Sequence, residues 1–176
     1  MAAGLVIFWC NDQGRASEVA RFFAANVAPE YISHSELQGD RAQSPNEWRN
    51  DLPAVLRREV ELRLHYSDDY PPLATSQPVA VAEQNGVIIA LALVTFVGDA
   101  PIPFAIVEDL IVARDHRKKG IGKVVMDWIV AEALARGVSR LFLESGKNNH
   151  SAHHFFEREG FEICSIVMMR SLVELG

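Results

Sequence analysis

The sequence has few cysteines and no long hydrophobic run. Cys10 and Cys164 are its two cysteines, and they lie in apolar stretches near opposite ends of the chain without a CxxC spacing. Disulfide scaffolds and cysteine-rich zinc sites need more cysteines, so we expect two reduced thiols. The apolar stretch Leu5–Cys10 is too short for a signal peptide core or a membrane span, and residues 1–4 carry no basic side chain. We therefore expect a cytoplasmic protein.

Positive charge is also scarce. The 176 residues include 17 lysines and arginines against 23 aspartates and glutamates, which gives a formal charge of -6 and a pI near 5.5. Binding to nucleic acid or to an anionic membrane surface needs a broad cationic field, and this composition excludes one. With 49% hydrophobic residues, the chain can instead bury a continuous core. We expect residues 1–176 to form a single domain.

Hydrophobic periodicity predicts both strands and helices. Asn85-Gly86 between two apolar runs is a typical hairpin turn, and apolar residues at three- and four-residue spacing mark each helix. The order β-α-α-β-β-β-α-β-α-β requires a mixed sheet, antiparallel at the hairpin and parallel across the crossover after residue 112. The predicted strands cover residues 5–10, 78–83, 87–97, 104–112, 141–143 and 161–172, and the predicted helices cover residues 15–28, 52–64, 123–136 and 151–159.

A basic, glycine-containing segment lies between a predicted strand and a predicted helix. Residues 114–119 have the sequence Arg-Asp-His-Arg-Lys-Lys and run into Gly120-Ile121-Gly122. Glycines let the backbone approach a ligand closely, and the amides and positive dipole end of a helix's first turn favour an anion. The segment therefore predicts a phosphate-binding site. Neither the P-loop pattern GxxxxGK[ST] nor the dinucleotide pattern GxGxxG fits its residues.

Two sequence blocks resemble one known family. Residues 117–122 have the pattern Arg-x-x-Gly-x-Gly after a strand, and this resembles the acetyl-CoA-binding signature of the GNAT (Gcn5-related) N-acetyltransferase superfamily. Residues 149–161 have the pattern Asn-x-x-Ala-x-x-Phe-Phe-x-x-x-Gly-Phe, which is similar to that family's second block. The resemblance covers essentially the whole chain. It implies an α/β (α+β) GNAT fold with a twisted, mixed, mostly antiparallel sheet of about six to seven strands, about four helices, and a parallel strand pair that splays apart at the acetyl-CoA site.

The resemblance also implies which residues hold the co-substrate acetyl-CoA. Backbone groups at the end of the strand would pair with the pantetheine arm, and the amides of the following loop and helix start would hold the pyrophosphate. Asn149 has a purely structural alternative as a helix N-cap. The implied cofactor-binding residues are Leu110, Ile111, Val112, Arg117, Lys118, Lys119, Gly120, Ile121, Gly122, Lys123, Asn149 and Phe156.

Acetyl transfer to an amine requires a base that removes a proton from the nucleophile. Our candidate is Glu108, acting through water, because a carboxylate within an apolar strand is costly unless it is hydrated or paired. An ion pair with an arginine at the sheet surface is the structural alternative. Asp109 lies on the opposite face by strand alternation and is the weaker candidate.

The general acid is the point at which the sequence departs from the family. Phe156 stands where the family usually has a tyrosine, and phenylalanine has no proton to give. His154, a loop tyrosine or solvent would then protonate the leaving thiolate, or the protein would not acetylate at all. His150 and His153 nearby lack the spacing of metal ligands, and we expect no metal site. The loop tyrosines are Tyr31, Tyr66 and Tyr70.

Two irregular segments, residues 33–50 and 66–77, carry acidic and aromatic side chains. The family uses these loops to line the acceptor site, and such a lining suits a cationic amine; ordinary loop solubility is the alternative. The resemblance implies an enzyme that moves the acetyl group of acetyl-CoA to a primary amine by direct attack in a ternary complex, and it implies a homodimer. A non-catalytic acyl-CoA-binding sensor on the same fold is the alternative function.

Overall fold

The computed structural model describes residues 4–64 and 75–172. The chain divides into two compact units, one of residues 1–27 and 50–144 and the other of residues 28–49 and 145–176. The single domain expected for residues 1–176 stays a prediction. In chain order the strands are β1 Leu5–Cys10, β2 Ala42–Ser44, β3 Glu47–Trp48, β4 Val79–Gln84, β5 Val87–Val97, β6 Phe104–Val112 and β7 Arg140–Leu143, and the helices are α1 Ala16–Asn26, α2 His34–Gln38, α3 Leu52–Arg63, α4 Ile121–Ala135 and α5 His150–Arg158.

A five-stranded sheet in the order β1-β4-β5-β6-β7 forms the first unit's framework. Its first four strands pair antiparallel, and β6 pairs with β7 in parallel. Asn85 and Gly86 have φ values of 53° and 76°, as a type I′ turn between β4 and β5 requires. The predicted hairpin, the parallel crossover and the mixed, mostly antiparallel sheet are therefore confirmed.

The core of the first unit follows from its apolar strands and amphipathic helices. β5 is buried from Ile88 to Phe96, as expected for a strand covered on both faces. α1 packs against α3, and α4 packs against β5 and β6. Fully buried helix side chains such as Phe23, Leu56 and Ile129 each contribute roughly 1.5–3 kcal/mol by leaving water. None of the helices in the described residues is long and apolar enough to span a membrane.

The second unit contains α2, the short β2–β3 hairpin and α5. Ser33 begins α2 with a capping box: the Ser33 N–H donates to Glu36 Oε2 at 2.7 Å. Glu36 is 3% exposed, and its Oε1 lies 3.6 Å from Arg41 Nη1. This acid therefore has a structural role within the segment that was predicted to be irregular.

The predicted final strand at residues 161–172 is wrong, because these residues form neither strand nor helix. Ile163, Met168 and Leu172 are 83%, 90% and 89% exposed. An apolar, β-branched sequence forms a strand only where a partner edge accepts its backbone hydrogen bonds. The central sheet therefore has five strands, and the separately paired β2 and β3 bring the described total to seven.

The backbone in the second unit approaches itself closely at Gly146. A Cβ at this position would lie 2.6 Å from the Ile32 carbonyl oxygen and also against the Glu30 carbonyl oxygen. Gly146→Ala is expected to lower the free energy of unfolding by about 2 kcal/mol, because backbone atoms would have to move. Urea denaturation measures this change.

Gly14→Ala is the matched control, since an added Cβ there meets the flexible Asp12 side chain at 3.1 Å. We expect it to change the free energy of unfolding by about 0.5 kcal/mol or less. Equal effects of the two substitutions would contradict the close approach at Gly146.

Candidate active site

The two edges of β6 are paired to different extents. β5 pairs with β6 from Phe104 to Val112, with one interruption at Glu108. β7 pairs only with residues 104–107, because it ends at Leu143, opposite Val107. Among the described strands, none pairs with β6 on the β7 side beyond this point. The parallel strand pair implied by the family resemblance is thus present, and its pairing stops at Val107.

Glu108 lies at the position where β7 pairing ends, and it is also the site of a β-bulge. Asp109 pairs with Leu93 and Val107 pairs with Val94, so Glu108 is an extra residue without a partner residue on β5. A bulge of this kind bends the strand and changes the direction of a side chain.

The carboxylate of Glu108 accepts a hydrogen bond on each oxygen. Arg63 Nη2, from the last residue of α3, donates to Oε2, and Thr95 Oγ1, from β5, donates to Oε1. The Glu108 side chain remains 30% exposed, whereas that of Arg63 is 10% exposed. The arginine pair proposed as the structural alternative for Glu108 is therefore formed. Asp109, by contrast, is 2% exposed and faces the interior.

The loop between β6 and α4 forms an open turn. Lys118 has a φ of 58° and Gly120, the N-cap of α4, has a φ of 81°. Within the described residues, the backbone N–H groups of Gly120, Ile121 and Gly122 donate to no protein acceptor. A Cβ built on Gly120 would meet no atom within 4 Å. The turn therefore offers amides and space at a helix N-terminus, where an anion is favoured.

Arg117 ties this loop to the end of α1. Its Nε donates to the Val112 carbonyl at 3.0 Å, and its Nη2 donates to the Asn26 carbonyl. Arg114 strengthens the connection, since its N–H donates to Asn26 Oδ1 at 3.0 Å and its Nη2 to the Val27 carbonyl at 3.1 Å. Partial burial, and secondarily the charge of Arg114, lowers the pKa of Arg117. Arg117 therefore holds the backbone of the turn in place.

The remaining charges of the loop face solvent. Lys118 and Lys119 are exposed, and Lys123 Nζ lies 2.9 Å from Asp127 Oδ1 on the exposed side of α4. The hydrogen bond from His116 lowers the pKa of Asp115. The lysines thus supply positive charge next to the amides, in a form that salt would screen.

Asn149 and Phe156 belong to the second unit, at the start and in the body of α5. The side chain of Asn149 makes no N-terminal cap; its Oδ1 accepts from Ser151 Oγ at 3.4 Å. Phe156 lies in ring contact with Phe155 and Phe161, with centroid distances of 5.2 and 5.8 Å. The roles of Asn149 and Phe156 toward the cofactor stay predictions.

The other predicted proton donors are also placed. His154 is 73% exposed in its side chain, with Nδ1 3.5 Å from Glu157 Oε2. Tyr31 lies beside Trp48 in the second unit, at a centroid distance of 6.3 Å. Tyr66 and Tyr70, with most of the predicted acceptor segment 66–77, lie outside the described residues. The part of the chain that is described contains no group of three or more His, Cys, Asp or Glu residues arranged for a metal ion.

Sequence reasoning missed Arg63 and Thr95. Thr95 had a usable signal, because it is a lone hydroxyl within the otherwise apolar strand β5. Arg63 had none, since a basic residue in the last turn of a helix is ordinary. The contact of both residues with Glu108 depends on the bulge, which the sequence pattern does not reveal.

Comparison with known proteins places the chain in a family. A family model described as "Acetyltransferase (GNAT) family" matches residues 43–161, and the chain belongs to this family. A streptothricin acetyltransferase from Streptomyces lavendulae is 42% identical over 60 residues, which cover 34% of this chain and 32% of that protein. The [ribosomal protein bS18]-alanine N-acetyltransferase of Escherichia coli K12 is 31% identical over 83 residues, 47% of this chain and 53% of that protein. The matches thus span between a third and about half of these relatives.

A solved structure extends the similarity of fold to nearly the whole chain. An aminoglycoside acetyltransferase from an uncultured soil metagenomic sample, in complex with sisomicin, superposes with a TM-score of 0.63 at 16% identity, covering 97% of each chain. At this identity the similarity concerns the fold.

Arg117 provides a test of the turn's construction. Arg117→Met is expected to lower the free energy of unfolding by about 1 kcal/mol, because two backbone carbonyls lose their donor. Chemical denaturation measures the change. Lys119→Ala is the control, since Lys119 is exposed in the same turn, and it should be near neutral. If both variants were equally stable, the tie between α1 and the turn would be refuted.

Proposed function

We propose that this protein is an N-acetyltransferase that transfers the acetyl group of acetyl-CoA to a primary amine by direct attack in a ternary complex. The proposal rests on two structural features that follow each other directly along the chain. The β7-side edge of β6 opens after Val107, and the same strand leads into the αL-capped start of α4. An extended molecule with a pyrophosphate at one end fits this sequence of features.

The residues present fit acetyl-CoA. The backbone of Leu110, Ile111 and Val112 would hold the pantetheine arm as an added strand. The amides of residues 117–123, with the charges of the exposed lysines, would hold the pyrophosphate. Bound there, acetyl-CoA supplies an activated thioester as the acetyl donor. The open space at Gly120 supports this fit, because a side chain there would occupy the cradle.

Glu108 would accept the proton that the amine loses when it attacks. Each carboxylate oxygen has two lone pairs, so the bonds from Arg63 and Thr95 leave acceptor positions for a water molecule. The 30% exposure of the Glu108 side chain supports contact with such a water. A water between the amine and the carboxylate would then carry the proton to Glu108.

The acceptor class is an amine in this proposal. The names of the relatives support it, since one is named for streptothricin and another for a ribosomal-protein alanine. A cationic acceptor remains our expectation, although Glu36 is committed to its capping box. The homodimer and the cytoplasmic location are further expectations from the family and the sequence, and light scattering after gel filtration tests the first of them.

The second candidate function is an acyl-CoA-binding sensor, and Phe156 is the residue that favours it. Phenylalanine in place of a tyrosine acid leaves the thiolate to be protonated by solvent or by another side chain. Release of free thiol from acetyl-CoA, followed against polyamines, aminoglycosides, amino acids and lysine peptides, separates the two functions. Turnover with any of these amines supports the enzyme, and none with all of them supports the sensor.

Gly120→Glu is expected to abolish the thermal stabilisation that acetyl-CoA gives. The new carboxylate would fill the open space of the turn and repel the pyrophosphate. The measurement is the shift in Tm with acetyl-CoA, CoA and ATP. A larger shift with ATP than with CoA would remove acetyl-CoA as the ligand.

The control for this variant is Gly86→Glu. Gly86 also has a positive φ, 76°, and an added Cβ there also meets nothing within 4 Å, so backbone strain and added charge are matched. We expect the Gly86→Glu protein to keep the full acetyl-CoA shift. Loss of the shift in both variants, or in neither, would count against the cradle.

Glu108→Gln is expected to lower kcat about 100-fold, because the amide cannot take up a proton. The acid limb of the pH–rate profile should disappear with the carboxylate. Thiol release measures both effects, and an unchanged Tm shift with acetyl-CoA shows that the cofactor still binds. An unaltered pH–rate profile would remove Glu108 from the base role.

A further inference from the structure

We infer that Arg63 and Thr95 are positioning residues that fix the direction of the Glu108 carboxylate. This inference rests on the proposed role of Glu108 as the base. It assigns a function to two residues that lie outside both family sequence blocks.

The need for positioning arises from the bulge. A regular strand residue faces a cross-strand neighbour that limits its side-chain rotamers. Glu108 has no such neighbour, because Leu93 and Val94 pair with the residues on either side of it. Its long side chain would therefore sample several rotamers unless other groups held it. The donors from α3 and β5 supply that restraint.

The two donors contact different oxygens of the Glu108 carboxylate, which indicates that they orient it. An arginine that merely stabilises a carboxylate usually engages both oxygens through a two-pronged contact. Here Arg63 takes Oε2 with Nη2, and Thr95 takes Oε1. Two donors from separate elements define the plane of the carboxylate as well as its position. Glu108 is thereby fixed while its side chain stays partly exposed.

Arg63 makes this contact at a cost to its own hydrogen bonding. Its Nη1 is buried and has no hydrogen-bond partner within the described part of the structure. Leaving a buried donor unsatisfied is unfavourable, and such groups in folded proteins call for an explanation beyond stability. The contact of the Arg63 guanidinium with Glu108 provides such an explanation. Of the two side chains that contact Glu108, that of Arg63 is charged. The other, the Thr95 hydroxyl, does not titrate at neutral pH.

Neither residue can itself be the acid or the base. An arginine keeps its protons throughout the working pH range, and a threonine hydroxyl is not a proton donor of useful acidity there. In this proposal their effect on the reaction passes through Glu108, which both contact.

The test uses isosteric and conservative variants at both positions. Thr95→Val removes the hydroxyl at nearly constant volume and is expected to lower kcat about 10-fold, because the ionised carboxylate loses a donor. Thr95→Ser keeps the hydroxyl and should restore most of that loss. Arg63→Met should lower kcat at least as much, and Arg63→Lys should recover part of it. In both Thr95→Val and Arg63→Met, KM for acetyl-CoA should stay constant while kcat falls.

The decisive measurement introduces Thr95→Val and Arg63→Met, each separately, into the Glu108→Gln variant and compares kcat. If Arg63 and Thr95 act through Glu108, neither substitution lowers the residual kcat further. Losses that multiply with the Glu108→Gln effect would overturn the positioning role alone. A Glu108→Gln protein with unchanged kcat would overturn the proposed base and the positioning role together. If Arg63→Met does not fold, the Thr95→Val and Thr95→Ser pair decides the question.

Discussion

The end of strand pairing at Val107 is the constraint on which the site depends. A parallel strand that continued along β6 would satisfy its backbone groups and close the edge. β7 stops at Leu143 instead, so none of the described strands pairs with β6 on this side beyond Val107. On its other edge β6 stays paired with β5 beyond this point, apart from the bulge at Glu108. The length of one short strand thus determines how much of this edge is covered by strand pairing.

The cradle depends on the same strand through Arg117. The Arg117 guanidinium donates to the Val112 carbonyl and to the Asn26 carbonyl at the end of α1. The turn before α4 is therefore held both to the end of β6 and to the end of α1. Its conformation then rests on Gly120 at a positive φ, where a side chain would add strain. The exposed lysines add charge to a shape that the backbone has already set. The charge and the geometry of the turn are therefore supplied by different residues.

Local patterns predicted the hairpin turn and the glycine turn before α4, because the physical cause of each is local. Asn85-Gly86 determines a turn by its own backbone preference, and the Gly120 turn has its signal in adjacent residues. The prediction of a final strand at residues 161–172 was wrong, because an apolar pattern does not show whether a sheet edge exists with which the segment can pair. The contacts of Arg63 and Thr95 with Glu108 were invisible for a related reason. They depend on a register shift between β5 and β6, and register is a property of two strands together.

The bulge has a consequence for how this gene can change over time. Side chains along β6 alternate between buried and partly exposed from Phe104 to Val112. Deleting Glu108 would bring Val107 and Asp109 next to each other, opposite Val94 and Leu93, and the strand would become regular without a change in the pairing of the residues beyond. Deleting a paired residue such as Leu110 would instead shift every residue on one side of it by one position, to the opposite face. The length of β6 can therefore change by one residue at the bulge, whereas a change in length elsewhere alters the core and the edge beyond Val107 in a single step.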